Sequence, residues 1–145
     1  MNFRDFLTLA ATLAAGSTEA EWRSAVSRAY YAAFHVGCEL LRDLGFRVPR
    51  ADRAHAYVWL RLANSSDPDV QNAGQDLNNL RGERNTADYN AYRTLGSVAA
   101  TQHVQTTEEI IRVLDAAAHD PTRTQITDAM KVYERDVLKD VTWHP

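Results

Sequence analysis

Residues 18–44 read TEAEWRSAVSRAYYAAFHVGCELLRDL, and Gly45 follows. Trp22, Val26, Ala29, Ala33, Gly37, Leu40 and Leu44 recur at spacings of three and four, which places them on one face of an α-helix. Ser17 or Thr18 supplies an N-cap, and Glu21 stands three residues after Thr18, the spacing of a capping box. Gly45 supplies the stop. A helix with one apolar face is marginal alone and holds only by burying that face against neighbours.

The neighbours follow on both sides. Upstream, a helix over 3–15 carries Phe6, Leu7, Leu9, Ala10 and Leu13 and halts at Gly16. Downstream, an arginine-rich loop closed by Pro49 leads to a helix over 53–63 bearing Tyr57, Val58, Leu60 and Leu62. Asn64-Ser-Ser-Asp67-Pro68 is a stop-and-start signal, with Asp67 or Ser66 as N-cap and Pro68 in the first turn. The next helix carries Val70, Ala73, Leu77 and Leu80, reaches at least Arg81, and meets in Gly82 a break or a weak point. A helix over 97–119 presents Val104, Ile110, Ile111, Leu114 and Ala117. Asp120-Pro121 opens a last one with Ile126, Ala129, Met130, Tyr133, Val137 and Val141 inward. These patterns predict an all-α, up-and-down helical bundle of five to six helices, as one domain over 1–145.

Composition agrees. At 145 residues, 45% apolar and 24% charged, the chain is an ordinary globular one, and six Gly and four Pro leave room for long helices. Cys38 is the single cysteine, so no internal disulfide forms, and a reducing cytoplasm is the expected compartment. The N-terminus lacks a basic region followed by an apolar stretch, so no signal peptide is expected, and no run suits a membrane span. Net charge is −3, so a nucleic-acid role must rest on a local arginine cluster.

Two stretches carry polar chemistry. Ser24, Arg28, Tyr31 and His35 form a stripe beside the core face of the long helix. In the second, Leu80-Arg-Gly-Glu-Arg84-Asn85-Thr-Ala-Asp88-Tyr89, Arg84 falls four residues after Leu80 and seven after Leu77, in line with apolar positions. A guanidinium there needs a carboxylate, a ligand or a subunit seam to meet. Asp88 is a partner at i+4, so a local Arg84–Asp88 pair with Tyr89 packed beside it is the structural alternative. His103, His119 and His144 read as surface residues, and His55 as structural. No phosphate loop, zinc spacing or nucleophile elbow occurs, so neither metal nor cofactor is expected.

Glu21-Trp-Arg-Ser-Ala-Val-Ser-Arg-Ala-Tyr-Tyr-Ala-Ala-Phe-His35 resembles the signature helix of HEPN-domain proteins, and Asn78-Asn-Leu-Arg81 with Arg84-Asn-Thr-Ala-Asp-Tyr89 resembles that family's second motif region. The resemblance implies a helical bundle that commonly dimerises. It also implies one of three roles: a metal-independent ribonuclease of toxin–antitoxin type, an RNA- or nucleotide-binding module, or a non-catalytic partner of a nucleotidyltransferase. The nuclease motif is Arg, a polar residue, then His after four to six intervening residues. Arg84 and Asn85 match its start, Tyr89 stands at the first His position, and no His lies between His55 and His103. An ordinary phenol, with a pKa near 10, is a poor proton acceptor at neutral pH, whereas Arg84 retains its capacity for phosphate. The resulting expectation is a cytoplasmic, homodimeric RNA- or nucleotide-binding protein of a toxin–antitoxin or defence system. Arg84, Asn85 and Tyr89 occupy the catalytic motif, and Arg28, Tyr31, His35, Arg81 and Asp88 the binding surface. An active ribonuclease borrowing another proton carrier such as His35, and a nucleotidyltransferase partner, are the alternatives.

Overall fold

Six α-helices and no strand make up the computed structural model, which describes residues 1–145. They are α1 (Asp5–Ala14), α2 (Glu19–Leu44), α3 (Arg53–Ala63), α4 (Pro68–Tyr89), α5 (Ser97–Ala117) and α6 (Thr122–Val132), the last running into a π-helical turn at Tyr133–Leu138. The all-α class is as expected, and no helix is long and apolar enough to cross a membrane.

The helix starts show why the boundaries fall where they do. The Thr18 hydroxyl accepts the Glu21 N–H at 3.2 Å and donates to the Glu21 carboxylate at 2.8 Å, while that carboxylate accepts the Ser17 N–H at 3.3 Å. This is a capping box displaced by one residue, with Thr18 as the cap. At α4 the cap is Asp67, whose carboxylate accepts the Val70 N–H at 3.0 Å; Ser66 instead takes a positive φ of 66° in the turn before it.

Three sequence expectations are corrected. Gly82 does not break α4, which runs through it to Tyr89; the glycine faces open space, so nothing there disturbs the helix. Leu9 is exposed, because the buried line of α1 runs through Ala10 and Ala14, and Leu9 lies about 100° round the helix from Ala10. Val137 and Val141 are exposed too. The π-helical turn shifts the register that aligned them with Met130, and the chain leaves the helix at Lys139, in the left-handed region with φ 57°.

The chain divides into two compact units, Met1–Val36 with Asp76–Ile111, and Gly37–Gln75 with Arg112–Pro145. The first unit has a core of small residues: Ala10, Ala14, Ala25, Val26, Ala29, Ala87, Leu95, Ala100 and Val104, with Leu7, Leu13 and Trp22 packed against it. Alanines at the contacts let helices approach closely. Side chains at the edge of these contacts therefore reach across from α2 to α4. In the second unit α4 presses on α3 through Gly74, where a Cβ would lie 2.7 Å from the Ala63 nitrogen and 2.9 Å from Leu62 Cβ. Gly37 is similarly closed in by Val58, at 2.8 Å. The C-terminal strap of this unit is held from inside. Fully buried Glu134 pairs with Arg61 and accepts the backbone N–H groups of Thr142 and Trp143. Trp143 donates its indole N–H to the Leu44 carbonyl at 2.8 Å, covering the end of α2.

Candidate functional site

Tyr31, on α2, is the hub of the polar group that the sequence singles out, and the whole group lies in the first unit. Its hydroxyl accepts a hydrogen bond of 2.5 Å from Arg84 Nη2 on α4. The Arg84 and Arg28 guanidiniums stand 5.0 and 5.2 Å from the Tyr31 ring centroid, so two cations share one aromatic ring. Arg28 also lies 5.0 Å from the Phe6 ring on α1. The helix of Tyr30 and Tyr31 and the helix of Arg84 are thus in contact, as expected.

Arg84 sits on the inward stripe of α4, with 18% of its side chain exposed. Its Nη1 donates to Asn85 Oδ1 at 2.9 Å. Its Nε approaches Asp88 Oδ2 at 3.1 Å but makes no aligned hydrogen bond, so that contact is ionic. Asp88 is further held by the Ser27 hydroxyl at 3.3 Å. A guanidinium carries five N–H donors, two on each Nη. With one proton of Nη1 on Asn85 and one of Nη2 on Tyr31, each Nη retains a second. Tyr31, accepting from Arg84, keeps its own proton to donate.

Tyr89, which the structural alternative packs beside the Arg84–Asp88 pair, is 78% exposed, its ring 5.9 Å from the Arg84 guanidinium. It is the last residue of α4, where there is no further turn to pack against. Arg81 is half-buried on the same helix, three residues before Arg84. His35 lies one turn beyond Tyr31, its ring stacked on Phe3 at 3.6 Å with an interplanar angle of 12° and set edge-on to Phe34 at 5.3 Å. One face of the imidazole is therefore covered by a phenyl ring. No three His, Cys, Asp or Glu side chains stand together as a metal site.

Sequence reasoning missed Arg23, which holds the motif's downstream loop. Its Nη1 donates to the carbonyls of Ala87 and Asn90, both at 2.9 Å, and its Nη2 to the Arg93 carbonyl. A guanidinium thereby closes the C-terminal end of α4, where carbonyls lack helical partners and the dipole favours a cation. Glu19 completes the clasp, accepting from Arg23 at 3.2 Å and from the Leu95 N–H at 2.9 Å. The Leu95 bond, then Arg23, hold its carboxyl below the ordinary value. The Glu19–Arg23 spacing of four was a visible signal for the pair; the loop that it grips was not. His103 is a correction: its side chain is only 21% exposed and faces Glu83 at 3.9 Å. It lines a small cavity of about 50 Å³ with Arg23, Thr86 and Arg93. Burial lowers its pKa, against the pull of Glu83.

The sequence profile of the HEPN domain matches residues 6–117, which includes every side chain of this group except Phe3. No curated protein and no solved structure is significantly similar to the chain. With the α2 and α4 motifs inside one profile match over more than half its length, the chain belongs to the HEPN domain family.

Proposed function

We propose that the Tyr31–Arg84 cluster binds the phosphate backbone of RNA and that the protein cleaves RNA weakly or not at all. Family membership supports an RNA-related function in general terms. The observation that carries the reading is the state of Arg84: it is braced by Asn85, Tyr31 and Asp88, yet each Nη keeps a second N–H to offer a phosphate oxygen. Tyr31 adds a hydroxyl donor beside them, and Arg28 a second positive charge. Asp88 opposes an incoming phosphate by its own charge, which keeps the affinity of the empty cluster modest. Exposed Tyr89 offers a flat surface for an unpaired base.

Cleavage needs a group that accepts the 2′-hydroxyl proton, and the motif supplies Tyr89, Asn90 and Ala91 where a histidine belongs. Losing a placed general acid/base costs about 10²–10⁴ in rate. Membership of a toxin–antitoxin or defence system, a cytoplasmic location and a homodimer that brings two Arg84 clusters to one cleft belong to the same proposal. A second reading, a helical partner of a nucleotidyltransferase, is favoured by the Arg84–Asp88 contact at 3.1 Å, which suits a structural ion pair.

Chelator-treated RNA binding and cleavage by wild type, Arg84→Ala, Tyr89→Phe and His35→Ala separates these readings. RNA binding that weakens in Arg84→Ala, with little cleavage in any variant, is expected. Robust wild-type cleavage lost in both Arg84→Ala and His35→Ala would replace the proposal with an active nuclease. Indifference of binding to Arg84 would transfer the case to the partner reading. Light scattering at the monomer mass of 16.3 kDa at micromolar concentration would remove the dimer.

A further inference from the structure

The second unit holds a cleft of about 450 Å³, whose lining includes Arg47, Pro49, Arg53, Leu60, Leu138 and Asp140. Its size falls within the roughly 300–1,000 Å³ of pockets that take small molecules. The cleft is built on fixed parts. Arg61 of its wall pairs at 2.8 Å with buried Glu134, the Tyr57 hydroxyl meets the Thr142 hydroxyl at 2.5 Å, and the strap that carries Asp140 and Thr142 is anchored on Glu134. Glu134 neutralises Arg61, so Arg47 and Arg53 against Asp140 leave a positive surplus on the walls.

The two wall arginines stand out for what they do not do. Neither Arg47 nor Arg53, nor Arg50 between them, takes part in an ion pair or a side-chain hydrogen bond, although acids outnumber basic side chains, 19 to 16. The same cleft is lined by Pro49, Leu60 and Leu138, and Leu138 is 37% exposed. Unpaired guanidiniums and aliphatic side chains lining one cleft suit an anion with an apolar body. Arginine's planar fork matches the oxygens of a phosphate. We infer that this cleft binds a small organic phosphate monoester, with its phosphate on Arg47 and Arg53 and its body against Pro49, Leu60 and Leu138. The site is independent of the Arg84 cluster and stands or falls without it.

The test titrates the full chain with phenyl phosphate, inorganic phosphate, benzoate and a short single-stranded RNA, followed by calorimetry and by NMR of the Leu138 methyl groups. Phenyl phosphate is expected to saturate, to shift Leu138, and to outbind both inorganic phosphate and benzoate. Loss of a charge-assisted contact is expected to weaken it about tenfold in Arg47→Ala and again in Arg53→Ala. Leu138→Ser, at a partly exposed position, is expected to bring phenyl phosphate down to the level of inorganic phosphate, and Arg84→Ala to change nothing. No saturation by about 10 mM phenyl phosphate, a threshold of only some 2.7 kcal/mol of binding, would overturn the inference. Equal affinity for inorganic phosphate would overturn it too, because the apolar wall would then play no part. RNA that depends on Arg47 and Arg53 and displaces phenyl phosphate at equal phosphate concentration would assign the cleft to nucleic acid instead.

Discussion

Replacing Glu134 by Ala should be among the most damaging single changes in the chain. The carboxylate is fully buried, and its partner Arg61 is 4% exposed. Five hydrogen bonds converge on it: from Arg61 Nε and Nη2 at 2.9 and 2.8 Å, from the Thr142 N–H and hydroxyl at 2.9 and 2.5 Å, and from the Trp143 N–H at 3.0 Å. Glu134→Ala leaves the guanidinium buried with only the Tyr57 carbonyl at 3.2 Å and the Tyr57 ring at 3.3 Å. Orphaning one half of a buried pair costs about 3–5 kcal/mol. Against a typical domain stability of roughly 5–15 kcal/mol, that is about a fifth of the total or more. Urea unfolding followed by circular dichroism at 222 nm should show the midpoint falling by about 2 M, for a slope near 2 kcal/mol/M. Arg61→Met with Glu134→Leu should recover at least about 1 kcal/mol of the loss, because the unpaired charge is gone. A single-variant loss under about 1 kcal/mol, or a double variant as unstable as the single, would refute the reasoning. Acid acts on the same group. Burial alone would raise the Glu134 carboxyl, but the Thr142 hydroxyl, Arg61 and the two backbone N–H groups outweigh it and hold it below the ordinary 4.5. A folded pKa below the unfolded one means that this contribution is complete above about pH 4.5 and is lost as pH falls through the folded value.

Arg23→Ala should free the 90–95 loop and speed hydrogen exchange at the Leu95 amide, at a cost of about 1–3 kcal/mol for the uncapped carbonyls of Ala87 and Asn90; unchanged exchange would remove the clasp from the account. Gly74→Ala pushes a methyl to within 2.7 Å of the Ala63 backbone, so thermal melting should show a loss of about 1–3 kcal/mol despite the better helix propensity of alanine, and an unchanged melting temperature would contradict the close helix approach. His103 should titrate below the ordinary 6.5 in an NMR pH series, so its burial stabilises the neutral ring fully above pH 6.5 and loses effect as pH falls; titration at or above 6.5 would mean that Glu83 outweighs burial.

The long helix is readable from residues 18–44 because its period, cap and stop agree with one another. The inward placement of Arg84 is equally local, since Leu77 and Leu80 set the stripe that it continues. Its ionic partner Asp88, one turn away, follows from the same spacing. What the spacing does not carry is contact at long range. Arg23 looks like a charge on a helix surface, and only the fold brings the end of α4, more than sixty residues later, against it. Phe6 reads as a core residue of α1, yet it serves as a ring surface for Arg28, as Phe3, just before the helix, does for His35. Val137 and Val141 mislead because a helical period was carried through a π-helical turn that no local residue type announces. Glu134 sits in a charged run, Glu134-Arg-Asp136, that reads as solvated, and its burial depends on Arg61 waiting in α3.

Equilibrium binding of a short single-stranded RNA to wild type and to Arg84→Ala, at one fixed salt concentration and with circular dichroism to show both folded, tests the central claim most directly. A phosphate contact from a partly buried arginine should make the variant bind at least about tenfold more weakly. The salt dependence should also fall, by about 0.7 in the slope of log K against log salt for one lost phosphate contact on a single strand. Equal affinity and equal slope in the two folded proteins would contradict the assignment of Arg84 to RNA.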